Sequence, residues 1–183
     1  MFITTLKRIL SVLSFASTIC MVSLLLAGPA QAATSDTGGF GIGLQIGDPS
    51  AITFKDSLTE NHAIDGGLAF NLNQWTLIYA DYLYQMPGQF GNQNAFFART
   101  TPYVGVGGMV VVSNASDYDT RNLRYFNSSS SSKIAFAARI PVGAEWRAPK
   151  VPIGVYVELD PGLVILPATY GFVQGGIGAR FYF

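Results

Sequence analysis

Residues 133–147 read KIAFAARIPVGAEWR. Ile134, Phe136, Ala138, Ile140, Val142, Ala144 and Trp146 fall on one parity; Ala135, Ala137, Arg139, Pro141, Gly143, Glu145 and Arg147 fall on the other. Successive side chains of a strand point to opposite faces, so the stretch predicts one strand with an apolar face and a face mixing small residues with charges. Pro141 has no N–H for a ladder, and a bulge or bend is expected there.

The same period continues on both sides. Residues 39–47 (GFGIGLQIG) set Phe40, Ile42, Leu44 and Ile46 against Gly41, Gly43 and Gln45, and Asp48 with Pro49 supplies turn chemistry. Residues 51–56 oppose Ile52 and Phe54 to Ala51, Thr53 and Lys55; residues 62–70 oppose His62, Ile64, Gly66, Leu68 and Phe70 to Ala63, Asp65, Gly67 and Ala69. Residues 74–85 (QWTLIYADYLYQ) are apolar on both parities. Asp81 assigns their faces, because a carboxylate avoids hydrocarbon, and Trp75, Leu77, Tyr79 and Leu83 share its side. Residues 101–112, 151–160 and 175–183 complete a set of eight. In 151–160, Ile153, Val155, Val157 and Leu159 oppose Gly154, Tyr156, Glu158 and Asp160. An even count suits an up-and-down antiparallel barrel with both ends of the strand set on one side. The segment 86–98 is long for a connection on that side, leaving room for extra strand length or another hairpin.

Two architectures share this pattern. In a transmembrane barrel the apolar parity faces lipid; in a soluble, lipocalin-like periplasmic barrel the charged parity faces water. Gly41, Gly43, Gly67, Gly154, Gly176 and Gly178 lie on the charged parity. There they fit an eight-stranded interior just wide enough to be filled by side chains, whereas on a water-facing exterior they would only weaken the strands. The reading is therefore an all-β, eight-stranded antiparallel up-and-down transmembrane β-barrel. Lys55, Asp65, Asp81, Arg139, Glu145, Glu158 and Arg180 then form an ion-pair network in a narrow polar lumen. Trp75, Tyr82, Tyr84, Trp146, Tyr182 and Phe183, near strand ends, fit interfacial aromatic girdles.

Composition agrees with a lipid-facing exterior: 12% of residues are charged and 49% hydrophobic, against about 25% charged in an ordinary soluble domain. A net charge of zero excludes a nucleic-acid footprint, which needs a basic surface. Lys7 and Arg8, the apolar run after them, and Ala30 and Ala32 in an A-x-A pattern form a secretory signal, residues 1–32, with cleavage after Ala32. A short leader follows at 33–38, and the barrel occupies 39–183. Cys20, the one cysteine, leaves with the signal, so no disulfide or thiolate metal site is expected. The connection 113–133, serine-rich and without period, is expected as a surface loop. Its Asp117, Tyr118, Asp119, Arg121, Arg124 and Tyr125 are candidate contacts for an extracellular partner.

The signal, the eight amphipathic strands and the terminal ARFYF together resemble the eight-stranded outer-membrane barrels of the OmpA and OmpX type, over residues 39–183. In that family an aromatic-ended last strand is read by the barrel-assembly machinery. The resemblance makes Ile177, Ala179, Phe181, Tyr182 and Phe183 that signal and implies the cell outer membrane as location and outer-membrane lipid as surroundings; a monomer is the default expectation. More narrowly, GIGLQIGDPSAITFK with HAIDGGLAF and YADYLYQ is similar to a family of small bacterial barrels with a GxGxxxGDP opening, whose members share no established activity.

Enzymatic readings have little to rest on. Outer-membrane lipid A deacylases and palmitoyltransferases depend on His with Ser and an acid, whereas the single histidine here, His62, lies in ENHAID, without the His-x-Ser pattern. Asp81 is followed by Tyr82 where the palmitoyltransferase pattern has Ser. Carboxylates spread over separate strands do not make a paired acid and base, and one His with no Cys does not make a zinc site. The sequence thus predicts a structural or surface-interaction barrel with no catalytic residue, no cofactor and no metal. A narrow ion or small-solute pore is the alternative.

Overall fold

The computed structural model describes residues 39–71, 75–91, 94–113, 126 and 133–183. The signal and leader lie outside them, as do Asp117, Tyr118, Asp119, Arg121, Arg124 and Tyr125. The described strands are β1 (Gly39–Asp48), β2 (Ala51–Ser57), β3 (His62–Asn71), β4 (Trp75–Gln85), β5 (Thr100–Ser113), β6 (Ile134–Arg139), β7 (Val142–Arg147), β8 (Ile153–Leu166) and β9 (Tyr170–Tyr182). Apart from β6 and β7, consecutive strands are antiparallel neighbours in space, and β1 pairs with β9, so the sheet closes on itself. Closure leaves no open edge and pairs the backbone within the wall.

β6 and β7 are one strand of the ring, interrupted at Pro141. Both pair with β5 on one side and β8 on the other. The register passes through unshifted: Arg139 faces Gly107 and Gly162, and Val142 faces Val104 and Leu159. Pro141 therefore removes ladder donors without inserting a residue, and the expected bulge lies elsewhere, at Phe136/Ala137 against β8. The ring accordingly has eight members.

Two of the last strands are longer than their alternation suggests. β8 runs through Pro161 and Gly162 to Leu166, beyond the expected end at Asp160, and β9 begins at Tyr170 rather than 175. Pro161 is tolerated because its partner still donates to it, Ile140 N–H to Pro161 O at 2.9 Å. The described part of 86–98 adds no strand; it leads into a single turn of 3-10 helix, Phe97–Arg99.

Burial follows the sequence parity with the inside polar. Ile42, Ile52, Ile64, Ile78, Phe136, Val155, Leu159 and Ile177 are exposed, while Lys55, Asp65, Asp81, Arg139, Glu145, Glu158 and Arg180 are 0–3% exposed. A soluble barrel has the opposite polarity. At the end carrying Gly39 and Phe183, the outside is ringed by exposed Phe40, Tyr82, Tyr84, Phe181 and Phe183, with Phe90, Phe96 and Phe97 from the β4–β5 connection. Phe96 stacks on Trp146 at 6.1 Å between centroids.

Candidate functional site

The interior is built in repeating units. Tyr182, Tyr156, Tyr103 and Tyr79 point inward, and each lies opposite a glycine of the adjacent strand: Gly41, Gly178, Gly143 and Gly67 respectively. A methyl group at Gly41 or Gly67 would come within 2.6 Å of the facing ring, so these glycines are seats that let a ring lie flat against the wall. Each ring then carries a cation over its face: Arg147 on Tyr182 at 3.5 Å, Arg180 on Tyr156 at 3.8 Å, Arg139 on Tyr79 at 4.1 Å and Lys55 on Tyr103 at 5.0 Å. Desolvated pairs of this kind contribute about 2 kcal/mol.

The cations are held from the other side by carboxylates. Lys55 Nζ donates to Glu145 at 2.7 Å, and Arg180 Nη2 to Asp65 at 2.5 Å. Arg139 is shared by three carboxylates: Asp81 at 3.2 Å, Glu158 at 3.0 Å and Asp160 at 2.9 Å. Hydroxyls link the units: Tyr182 donates to Glu145, Tyr103 to Glu158 at 2.8 Å, and Tyr156 lies within reach of Gln45 and Thr53. Arg180 Nε also donates to Thr53, at 3.3 Å. The lower section of the barrel is thus crossed by buried ion pairs joined through tyrosine hydroxyls.

That polarity decides the architecture. The wall is that of a transmembrane β-barrel. No family model matches the chain, and no curated protein does. Among solved structures, it is similar to the N-terminal β-barrel domain of OprF from Pseudomonas aeruginosa, with TM-score 0.51 and 17% identity over 79% of this chain and 95% of that one. Ail, the attachment invasion locus protein of Yersinia pestis, aligns with TM-score 0.32 and 10% identity over 79% of this chain and 94% of that one. The likeness to the OprF domain is one of fold.

The structure brings all seven expected lumen residues inside, in three ion-paired groups linked through tyrosines, and adds Asp160, Gln45, Thr53 and the four tyrosines. Asp160 shares the parity of Glu158, and the alternation of 151–160 already places it on the inner face, but the expected ion-pair set does not include it. Tyr182 corrects its expected girdle position, being 6% exposed and turned inward onto Glu145, whereas Tyr82, Tyr84 and Phe183 face outward. Of the terminal residues, Ile177, Ala179, Phe181 and Phe183 lie on the outer face. His62 lies on the outer parity at the start of β3, between Tyr82 and Tyr84, and shares a 2.7 Å hydrogen bond with the Tyr82 hydroxyl. The wall separates it from every carboxylate of the interior.

The expectation of a polar lumen holds only for part of its length. Toward the end carrying the β5–β6 connection, Ala51, Ala69, Leu77, Met109, Val111, Ala135, Ala137, Val164 and Phe172 form an apolar cluster with Tyr79, bordered by Trp75 and Tyr170. Phe126, between β5 and β6, packs into it and is 4% exposed.

Proposed function

We propose that the chain is a monomeric outer-membrane protein with a structural or surface-interaction role, performing neither transport nor chemistry. One observation carries this reading: among the described residues, the cross-section is occupied by buried ion pairs and tyrosines, with an apolar section beyond them. An ion entering such a section must break pairs whose separation strands charges, at about 3–5 kcal/mol each. The apolar belt and the aromatic ring at the terminus end support placement in a bilayer. Outer-membrane lipid is then the partner of the wall. Ile177, Ala179, Phe181, Tyr182 and Phe183 present a strand for the barrel-assembly machinery, and loop 113–133 offers an extracellular contact surface.

Fractionation, with gels run before and after boiling, tests the placement: the protein should stay with outer membranes and change mobility on heating. Recovery as a soluble species would refute it. Purified protein in planar bilayers should be silent, and sustained regular openings would establish the narrow pore instead.

A further inference from the structure

We propose that the β4–β5 connection is an interfacial foot: its phenylalanine rings enter the acyl boundary of the bilayer, and Arg99, with Lys150 of the β7–β8 turn, holds the phosphate of an anionic phospholipid. The inference rests on the transmembrane reading of the wall and adds a lipid-selective contact to it. Residues 86–99 are long for a link between neighbouring antiparallel strands, which about two to five residues suffice to join. The extra length is structured. Gly88 and Gly91, at φ +75° and +70°, make turns that a side chain would strain, and Gly91 N–H donates to Gly88 O at 2.9 Å. Asn94 then holds the 3-10 turn, its Oδ1 accepting from Phe97 N–H at 2.9 Å and its backbone O from Ala98 N–H at 3.0 Å. The Thr100 hydroxyl ties the turn to β5 by donating to Phe96 O at 2.8 Å.

What this framework presents outward is apolar. Phe90, Phe96 and Phe97 are 44, 57 and 43% exposed. Phe90 and Phe96 both lean on Phe97, and Phe96 stacks on Trp146, which stands on the outer parity of β7. The rings therefore lie outside the wall, continuous with exposed Val142 of β7 and Val104 and Val106 of β5. A girdle carries its rings on strands; here a separate connection brings three more to the same surface, and such a patch marks a contact. Charge selects the lipid. Arg99 ends the 3-10 turn, and Lys150 stands between exposed Pro149 and Val151, just past the strand that carries Trp146. Basic side chains on an apolar surface lay their stems along it and reach the headgroup phosphates. Among the described residues, the exposed acids of this rim, Asp56 and Glu60, belong to β2 and the β2–β3 connection, across the ring from β7 and β8.

Depth is tested with the refolded protein carrying Cys20→Ser, which removes the one native cysteine, and a single new cysteine bearing an NBD label. Phe97→Cys and Phe90→Cys report on the foot, Leu159→Cys on the wall. In vesicles with brominated acyl chains all three labels should be quenched. Quenching at 159 with none at 90 and 97 would overturn the foot and leave the transmembrane wall standing; no quenching at any position would remove the wall reading as well. For the headgroup, Trp75→Phe leaves Trp146, against Phe96, as the remaining tryptophan. Phosphatidylglycerol with a nitroxide near its headgroup should bind beside Trp146 about fivefold more tightly than phosphatidylcholine with the same label, the effect of one basic side chain at an anionic surface. Lys150→Gln should lower that ratio, and adding Arg99→Gln should make the two lipids equivalent. Equal quenching by both lipids before substitution, or a preference that survives both changes, would refute the phosphate contact.

Discussion

The pair Asp65–Arg180 offers the sharpest test of a closed lumen. Arg180 Nη2 lies 2.5 Å from Asp65 Oδ2, and the side chains are 0 and 2% exposed. Asp65 Oδ1 has no other hydrogen-bond partner, so the carboxylate depends on this guanidinium. Asp65→Asn keeps the shape and strands a buried cation; removing one partner of such a pair costs about 3–5 kcal/mol. Arg180→Met strands the carboxylate at a similar cost and adds the loss of the ring contact with Tyr156, up to about 2 kcal/mol. The double variant strands neither charge. It keeps the lost ring contact and an amide short of one partner, about 2–4 kcal/mol in total. The singles should therefore exceed the double when summed, by at least about 2 kcal/mol, well outside the 0.3–0.5 kcal/mol expected of independent sites. Equilibrium urea unfolding in lipid vesicles, followed by tryptophan fluorescence, measures all four proteins. Single variants costing under about 1 kcal/mol, or strict additivity, would mean that water reaches the pair as it does at exposed ion pairs, and the closed cross-section would be wrong.

Two further outcomes follow from the same geometry. Gly178→Val should destabilise the barrel by about 1–3 kcal/mol, because the Tyr156 ring occupies the space of the new side chain; Tyr156→Ala in the same chain should recover part of the loss, whereas full additivity would refute the seat. Leu159→Arg, on the outer face midway along β8, should cost about 2–4 kcal/mol in vesicles, against about 0–1 kcal/mol for Ile153→Arg at the strand's end; equal costs would displace the lipid belt.

Local chemistry by itself settles a good part of this protein. Period-two alternation separates Phe136 from Arg139, Val155 from Glu158 and Phe181 from Arg180, because a strand's pleat sends neighbours to opposite faces whatever surrounds them. It even survives Pro141, since a missing donor weakens a ladder without changing its parity. Glycines beside charges then indicate which face is inside. Where alternation meets a residue that merely discourages a strand, the sequence misleads: Pro161 ends the pattern on paper, but hydrogen bonds from β6 and β9 carry β8 onward to Leu166.

Which inward groups meet is another matter, and only closure of the barrel answers it. Lys55 finds Glu145 across 90 positions, and Arg180 finds Asp65 across 115. Such partnerships depend on strand stagger, a property of the whole ring that no single strand encodes. The same closure turns Tyr182 onto Glu145 instead of toward the interface, and makes seats of glycines whose sequence neighbours say nothing about a ring. Phe126 is the extreme case: in an aperiodic connection nothing local distinguishes it from a solvated phenylalanine, and it is buried in a cluster drawn from distant strands, with Ala51, Leu77, Val111, Val164 and Phe172 among its members.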